Sequence, residues 1–112
     1  MKKIEAIIRP TKVGDVLAAL EKVGHPGVTV SEVEGHGSQK GVKHQVRGKT
    51  YNVPLLSKKK IDVVVKDQEA GKIIDAIQKA VSTGEIGDGK IFVSNMDDAI
   101  RIRTGETGEK AV

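Results

Sequence analysis

The chain repeats one order of patterns, strand then helix then strand, on both sides of a long polar segment, and this repetition constrains the fold most strongly. Apolar residues recur at every second position in the strand segments and at helical spacing between them, as at Val16, Leu20 and Val23. The predicted strands cover residues 2–9, 27–34, 60–66 and 90–94, and the predicted helices cover 13–23 and 69–81. A last extended piece is predicted over residues 99–103. This order predicts an α+β, ferredoxin-like βαββαβ fold with both helices on one face of a four-stranded sheet.

The length of 112 residues fits a single domain, predicted to span residues 1–112. We expect the second face of the sheet to be apolar as well, because Ile7, Val64 and Phe92 stand opposite the other apolar residues of their strands. A domain of this size has no further layer to cover that face, and an open apolar patch usually marks an interface. The pattern therefore predicts a homo-oligomer whose sheets face inward.

Composition excludes several classes of protein. The chain has no cysteine, which excludes a disulfide framework and thiolate metal sites. No apolar run is long enough to span a membrane, and the N-terminal MKKIEAIIRP lacks the apolar segment of a signal peptide. We expect a cytoplasmic protein that meets a membrane only through a partner. The formal net charge of +4 is too small to indicate direct nucleic-acid binding, and the clustered cations suit phosphates or carboxylates.

The polar segment between the two halves, about residues 36–57, is too long for an ordinary connection. Loops of more than about 12–15 residues without secondary structure are usually functional or disordered. This segment is rich in glycine and in cations, and it holds the single tyrosine, Tyr51, near its far end. We therefore expect a mobile, exposed loop here, and a flexible C-terminal segment over residues 104–112.

The stretch TGEIGDGKIFV, residues 83–93, places three glycines and a lysine in front of a predicted strand. Glycine permits the left-handed backbone in which successive N–H groups converge on an anion, and Lys90 would add a charge for a phosphate. The spacing is not that of a P-loop, because the lysine begins a strand and not a helix. From these residues alone, an ordinary glycine-rich turn remains the alternative.

Four blocks of the sequence together resemble one known family. The blocks are MKKIEAIIRP, TVSEVEGHGSQKG, TGEIGDGKIFVS and IRIRTGE, and they run from Met1 to about Glu106. They strongly resemble the PII nitrogen-regulatory signal proteins. The resemblance implies a homotrimer that binds ATP or ADP in the clefts between its subunits.

The resemblance also implies roles for individual residues. Those implied to bind the nucleotide are Thr29, Gly35, Gly37, Ser38, Val64, Ile86, Gly87, Asp88, Gly89, Lys90, Arg101 and Arg103, the two arginines acting from the neighbouring subunit. Gln39 matches the ligand of a Mg²⁺ ion that bridges the phosphates and 2-oxoglutarate, which suits a hard cation that prefers oxygen. Lys40, Gly41 and Lys58 complete the implied 2-oxoglutarate site, in which Lys58 pairs with the far carboxylate.

Some positions depart from the family pattern. Tyr51 stands where many members are nucleotidylated, but Val46 replaces a usual tyrosine and Lys49 replaces a serine that some members phosphorylate. Ser38 and Ser82 stand where arginine is common. Tyr51 is thus a candidate for modification, and the preference between ATP and ADP is open.

The resulting hypothesis is a non-enzymatic sensor of nitrogen, carbon and energy status. Its long loop would regulate targets such as an ammonium transporter, or an enzyme or regulator of nitrogen metabolism. One alternative is a nucleotide-hydrolysing enzyme, although Glu85 and Asp88 have no partner that would make a general base. Another is a nucleotide sensor that does not respond to 2-oxoglutarate. An RNA-binding module is disfavoured, because Phe92 is the only aromatic residue in a predicted strand.

Overall fold

The computed structural model of the chain describes residues 1–25, 27–35, 44–46, 49–51 and 55–112, with 44–46 and 49–51 described by their backbone. The elements are β1 (Lys2–Ile8), α1 (Val13–Lys22), β2 (Thr29–Gly35), β3 (His44–Val46), β4 (Lys49–Tyr51), β5 (Leu56–Val65), α2 (Asp67–Val81) and β6 (Lys90–Asn95), with short 3-10 helices at Pro10–Lys12 and Gly108–Ala111. None of the helices in the described residues is long and apolar enough to cross a membrane.

The main sheet has the strand order β2-β5-β1-β6, with antiparallel pairing throughout. The two β-α-β units therefore interleave, since β1 and β5 lie side by side in the centre and β2 and β6 form the edges. This arrangement confirms the predicted ferredoxin-like fold. Within the predicted loop, β3 and β4 pair as a separate two-stranded ribbon, which is absent from the prediction.

The core lies between the sheet and the two helices. Every second residue is buried on that side from Ile4 in β1 and from Ile61 in β5, and α1 and α2 add apolar stripes at helical spacing. The central members of this core are Ile4, Ala6, Ile8, Val16, Leu20, Ile61, Val63, Val65, Ile73 and Ile77. Because the core is aliphatic and β-branched in the strands, it suits a pleated surface covered on one side by helices.

The face of the sheet away from the helices, here called the open face, is only partly apolar. Ile7, Val64 and Phe92 lie on it as predicted, and Phe92 is 53% exposed. Between them, however, charged side chains occupy the centre of the face. The expectation of two apolar faces is therefore wrong for the middle of the sheet.

Four residues of β1 and β5 form this central cluster, here called the charge square. Lys3 lies 3.8 Å from Glu5 and 3.9 Å from Asp62, and Lys60 lies 3.6 Å from Glu5 and 3.9 Å from Asp62. Each charge thus has two neighbours of opposite sign and the cluster is neutral. Glu5 and Asp62 face each other across the β1–β5 pair, with the two lysines on the flanks.

The C-terminal segment differs from the extended stretch predicted over residues 99–103. Only Ile100 forms a bridge, to Thr107, and the chain between them turns back with hydrogen bonds from Arg101 N–H to the Glu106 carbonyl and from Gly105 N–H to the Arg101 carbonyl. Asp98 fixes the base of this hairpin by accepting hydrogen bonds from Ala99 N–H and Gly108 N–H. The mobility of residues 104–112 in solution stays a prediction.

Candidate functional site

Residues 83–90, here called the glycine loop, are closed by the side chain of Asp88. Its carboxylate accepts hydrogen bonds from Thr83 N–H at 2.8 Å, from Gly84 N–H at 2.9 Å and from the Thr83 hydroxyl. These hydrogen bonds, above all the one from the Thr83 hydroxyl, lower the pKa of Asp88 to about 2, and the nearby Arg9 guanidinium contributes. Asp88 therefore stays ionised near neutral pH and works as a structural anchor of the loop.

The three glycines of the loop all have left-handed backbone. Their φ values are 82° at Gly84, 101° at Gly87 and 101° at Gly89. At Gly89 a side chain would also force the backbone to shift, because a Cβ there would lie 1.8 Å from the carbonyl oxygen of Ile7. The loop thus packs directly against the end of β1, immediately before β6 begins.

Two cations from the end of the sheet hold the outer part of the loop. Arg9 donates from Nη2 to the Ile86 carbonyl at 2.9 Å, and its guanidinium lies 3.3 Å from the Asp88 carboxylate. Lys58 donates from Nζ to the Gly87 carbonyl at 3.0 Å. Two successive carbonyls of the glycine loop are therefore each held by a positive charge.

Arg9 is a residue of this candidate site that the sequence patterns did not single out. It follows β1 directly and precedes Pro10, and its extended backbone (φ −62°, ψ 140°) is the conformation that a following proline favours. Its side chain consequently projects from the sheet end toward the loop. An arginine between a strand and a strand-ending proline was the signal available in the sequence.

Several predicted site residues meet at this same end of the sheet. β2 ends at Gly35, β5 begins at Leu56 and β6 begins at Lys90, which is paired with Ile7. A Cβ built on Gly35 would lie 4.0 Å from Cγ of Lys58, so these two residues are neighbours. Ile86, Gly87, Asp88 and Gly89 belong to the glycine loop itself.

Two cavities flank this convergence point. One, of about 280 Å³, is lined by Ile8, Gln78, Val81, Ser82, Asp88, Gly89, Lys90 and Ile91. The other, of about 320 Å³, is lined by Pro10, Glu32, Val33, Glu34, Ser57, Lys58 and Lys59. Ser82 therefore borders the glycine loop, where it offers a hydroxyl group.

Thr29 and Val64 lie elsewhere on the open face. Thr29 is paired with Asp62, and Val64 stands six residues after Lys58 on the same strand, which corresponds to about 20 Å along β5. Within one chain, therefore, these two predicted nucleotide-binding residues stand away from the glycine loop along the sheet.

Arg101 and Arg103 are also remote from the loop within one chain. They lie in the C-terminal hairpin, which follows Met96 at the end of the sheet where β1 begins. Arg101 Nη1 pairs with the Glu106 carboxylate at 3.0 Å, with both side chains 42% exposed. Within one chain, the described contacts of Arg101 are therefore with its own hairpin and not with the glycine loop.

The other predicted positions lie outside the described residues or are only partly described. Gly37, Ser38, Gln39, Lys40 and Gly41 lie outside, so the predicted metal ligand has no described geometry. The backbone of Tyr51 pairs with His44 at the end of the β3–β4 ribbon. Among residues 1–25, 27–35 and 55–112, no three His, Asp or Glu side chains come together as metal ligands.

Comparison with known proteins bears on this site directly. Residues 1–106 match the family model described as "Nitrogen regulatory protein P-II". The chain belongs to the P-II family. It is 54% identical to "Nitrogen regulatory protein P-II" of Rhizobium meliloti over the full length of both chains. It is 51% identical to "Nitrogen regulatory protein P-II 2" of Methanothermobacter thermautotrophicus over all of this chain and 97% of that protein.

The P-II match covers the whole of the site described above. It includes Arg9, Lys58, the glycine loop and the hairpin as far as Glu106. A P-II protein of Synechocystis also matches over the full length of both chains, at 50% identity. The predicted family is therefore confirmed across bacterial and archaeal relatives.

Proposed function

We propose that this P-II protein is a signalling protein that binds ATP or ADP with its glycine loop. The observation that carries the proposal is the loop itself, a left-handed backbone fixed from inside by Asp88 and from the sheet by Arg9 and Lys58. Such backbone can present N–H groups to an anion, and Lys90 begins the adjoining strand as a further positive charge.

The nucleotide site is shared between copies in this proposal, and the assembly is a homotrimer. Two features of the fold support the sharing. Thr29 and Val64 stand away from the glycine loop along the sheet, and the hairpin with Arg101 and Arg103 follows the opposite end of β6. The exposed Phe92 and Ile102, 53% and 98% accessible, supply apolar surface for subunit contacts.

Mg²⁺ and 2-oxoglutarate complete the proposed sensor. Gln39 would provide an oxygen ligand to the ion, with the remaining ligands from phosphates, metabolite and water. Lys40 and Gly41 would line the metabolite site, and Lys58 would pair with the far carboxylate. Because Lys58 and Gly35 stand at the two bases of the long loop, a ligand bound there would favour one loop arrangement, which the loop then reports to a target protein.

The proposed targets are proteins of nitrogen supply and metabolism. A transporter of ammonium, an enzyme of nitrogen metabolism or a regulator of such enzymes each fits a family whose members are named nitrogen regulatory proteins. Pull-down from native lysate with ATP, ADP and 2-oxoglutarate varied separately would identify the target and its ligand dependence.

Calorimetric titration tests the proposal in two steps. ADP and ATP should each bind, and 2-oxoglutarate should bind only with Mg-ATP present, because ADP lacks the phosphate that completes the metal bridge. Gln39→Ala should abolish binding of 2-oxoglutarate and retain binding of ADP. Absence of nucleotide binding would contradict the proposal, whereas nucleotide binding without any response to 2-oxoglutarate would support the simpler nucleotide sensor.

One observation argues against the nucleotide-hydrolysing alternative. Asp88, a carboxylate of the glycine loop, accepts three hydrogen bonds and has a pKa of about 2, which makes it a poor general base near neutral pH. Measured phosphate release from ATP, with and without 2-oxoglutarate, should therefore remain at the level of a protein-free control.

A further inference from the structure

We infer that Arg9 and Lys58 are positioning residues that fix the direction of two successive peptide groups in the glycine loop. In this role they turn the N–H groups of Gly87 and Asp88 toward a bound phosphate. The inference rests on the proposed nucleotide binding and adds a role for Lys58 that does not depend on the metabolite.

The planarity of the peptide bond provides the first step. In a trans peptide the C=O of one residue and the N–H of the next point in opposite directions. The Ile86 carbonyl points at Arg9, so the N–H of Gly87 points away from it. The Gly87 carbonyl points at Lys58, so the N–H of Asp88 points away from Lys58.

The second step concerns the side from which the cations come. Arg9 follows β1 and Lys58 belongs to the neighbouring β5, where Lys59 is paired with Ile8. In extended backbone, successive carbonyls alternate in direction. Two successive carbonyls can therefore face the same sheet end only where the backbone is not extended. Gly87 supplies that departure with a φ of 101°. Both N–H groups are consequently turned away from the sheet end.

The third step concerns why cations are needed. A loop with three glycines loses much conformational freedom when it adopts one shape. Hydrogen bonds with an ionised donor are stronger than neutral ones. Two such donors on adjacent strands therefore select one loop conformation before any nucleotide arrives, which lowers the cost of ordering at binding.

ADP binding without metal or metabolite is the first test. Arg9→Gln and Lys58→Gln should each weaken ADP binding by about tenfold, and the double variant by less than the product, because both residues fix the same loop. Lys59→Gln is the matched control. It removes the same charge from the next position, where the side chain pairs with Glu32, and should change ADP affinity less than about twofold.

The second test measures the loop itself, with no nucleotide present. The ¹H–¹⁵N amide signals of Gly87 and Asp88 should shift in Arg9→Gln and Lys58→Gln and stay unchanged in Lys59→Gln. Loss of a charge alone would not produce this pattern, since all three variants lose one. Arg9→Lys, which keeps a charged donor, should return the Gly87 signal toward its wild-type position.

Each outcome decides between the inference and its alternatives. Unchanged amide signals in both loop variants would overturn the inference, whatever the ADP affinity. Shifted signals with unaltered ADP affinity would overturn it as well, because the peptide directions would then be irrelevant to the phosphate. Failure of the wild-type chain to bind ADP or ATP would instead overturn the proposed function, and it is measured separately.

Discussion

At the scale of single residues, the side chains of Asp88 and Lys90 differ in direction: one faces the backbone of the glycine loop and the other faces solvent. Asp88 turns its carboxylate inward to the N–H groups of Thr83 and Gly84, so its contribution is to the shape of the loop. Lys90 opens β6 with an exposed side chain and is available to a ligand. Substitutions at the two positions should therefore have different consequences.

The Asp88 carboxylate makes loop stability dependent on acid pH. Its pKa is lowered from 3.8 to about 2 by the hydrogen bonds from Thr83, so the folded chain binds the proton less readily than the unfolded chain. The stabilisation is present above pH 4 and should be lost as the pH falls from about 4 to about 2. Thermal unfolding midpoints over this range should show the loss, and Asp88→Asn should make it smaller.

Lys90→Ala should weaken ATP and ADP to the same extent. Loss of a charge-assisted contact to a phosphate common to both nucleotides should cost about 1.5–3 kcal/mol of binding free energy. Calorimetry provides the measurement. Lys79→Ala, which removes an exposed lysine of α2 that pairs with Asp75, is the control and should leave both affinities intact. Unchanged affinity in Lys90→Ala would remove this residue from the phosphate site.

At the scale of elements, the contact between the glycine loop and β1 has the least tolerance. Gly89→Ala would place a Cβ 1.8 Å from the Ile7 carbonyl oxygen at a φ of 101°, so the start of β6 must shift. We expect a loss of more than about 3 kcal/mol of unfolding free energy, above the range of ordinary substitutions.

Gly84→Ala offers a matched control for this substitution. Gly84 also has left-handed backbone, with a φ of 82°, but a Cβ there meets nothing within 4 Å. The expected cost is therefore the conformational one alone, about 1–2 kcal/mol. Urea unfolding of the two variants should separate the steric effect from the conformational effect, and equal losses would show that the β1 contact is unimportant.

The sequence patterns predicted the elements whose residues alternate or repeat strongly, such as β1, α1 and α2. They missed the first four residues of β5, Leu56–Lys59, because this part is polar and becomes a strand only by pairing with β2. The same reason explains Arg9. Its role depends on a carbonyl 77 positions away in the chain, which no local pattern reveals.

The site could be predicted only to the extent that its residues are contiguous. The glycines of residues 84–89 indicate a loop with special backbone, and this was read correctly. The inward direction of the Asp88 side chain could not be predicted, because a carboxylate after a glycine can face either a ligand or its own backbone. The hydrogen bonds from Thr83 and Gly84 decide between them.

At the scale of the whole molecule, the open face is the surface through which copies would associate in the proposed assembly. Its apolar residues lie around the charge square, whose net charge is zero. A partner surface must therefore cover the apolar residues without separating any charge of the square from its neighbours. A second copy offers the same composition. Light scattering of the purified chain at micromolar concentration should report a homotrimer, and a stable monomer would contradict the proposed assembly.

Phe92→Asp should weaken this assembly. Phe92 is 53% exposed on the open face, and a charge at this position would be buried by a neighbouring copy without a matched partner. Leu17→Asp provides the comparison, because Leu17 is a 39% exposed residue of α1 on the helical layer. Sedimentation should show dissociation for the first variant and an unaltered assembly for the second.

The charge square also limits the order in which related sequences can change. Loss of Lys3 leaves Glu5 and Asp62 with Lys60, and loss of Glu5 leaves both lysines with Asp62. Any single corner can therefore be substituted without isolating another charge. A second substitution is restricted. Loss of both lysines, or of both acidic residues, leaves two like charges without a partner, whereas loss of one lysine and one acidic residue leaves an intact ion pair. Where a related sequence has replaced two residues of the charge square, the two replaced residues should therefore be one lysine and one acidic residue.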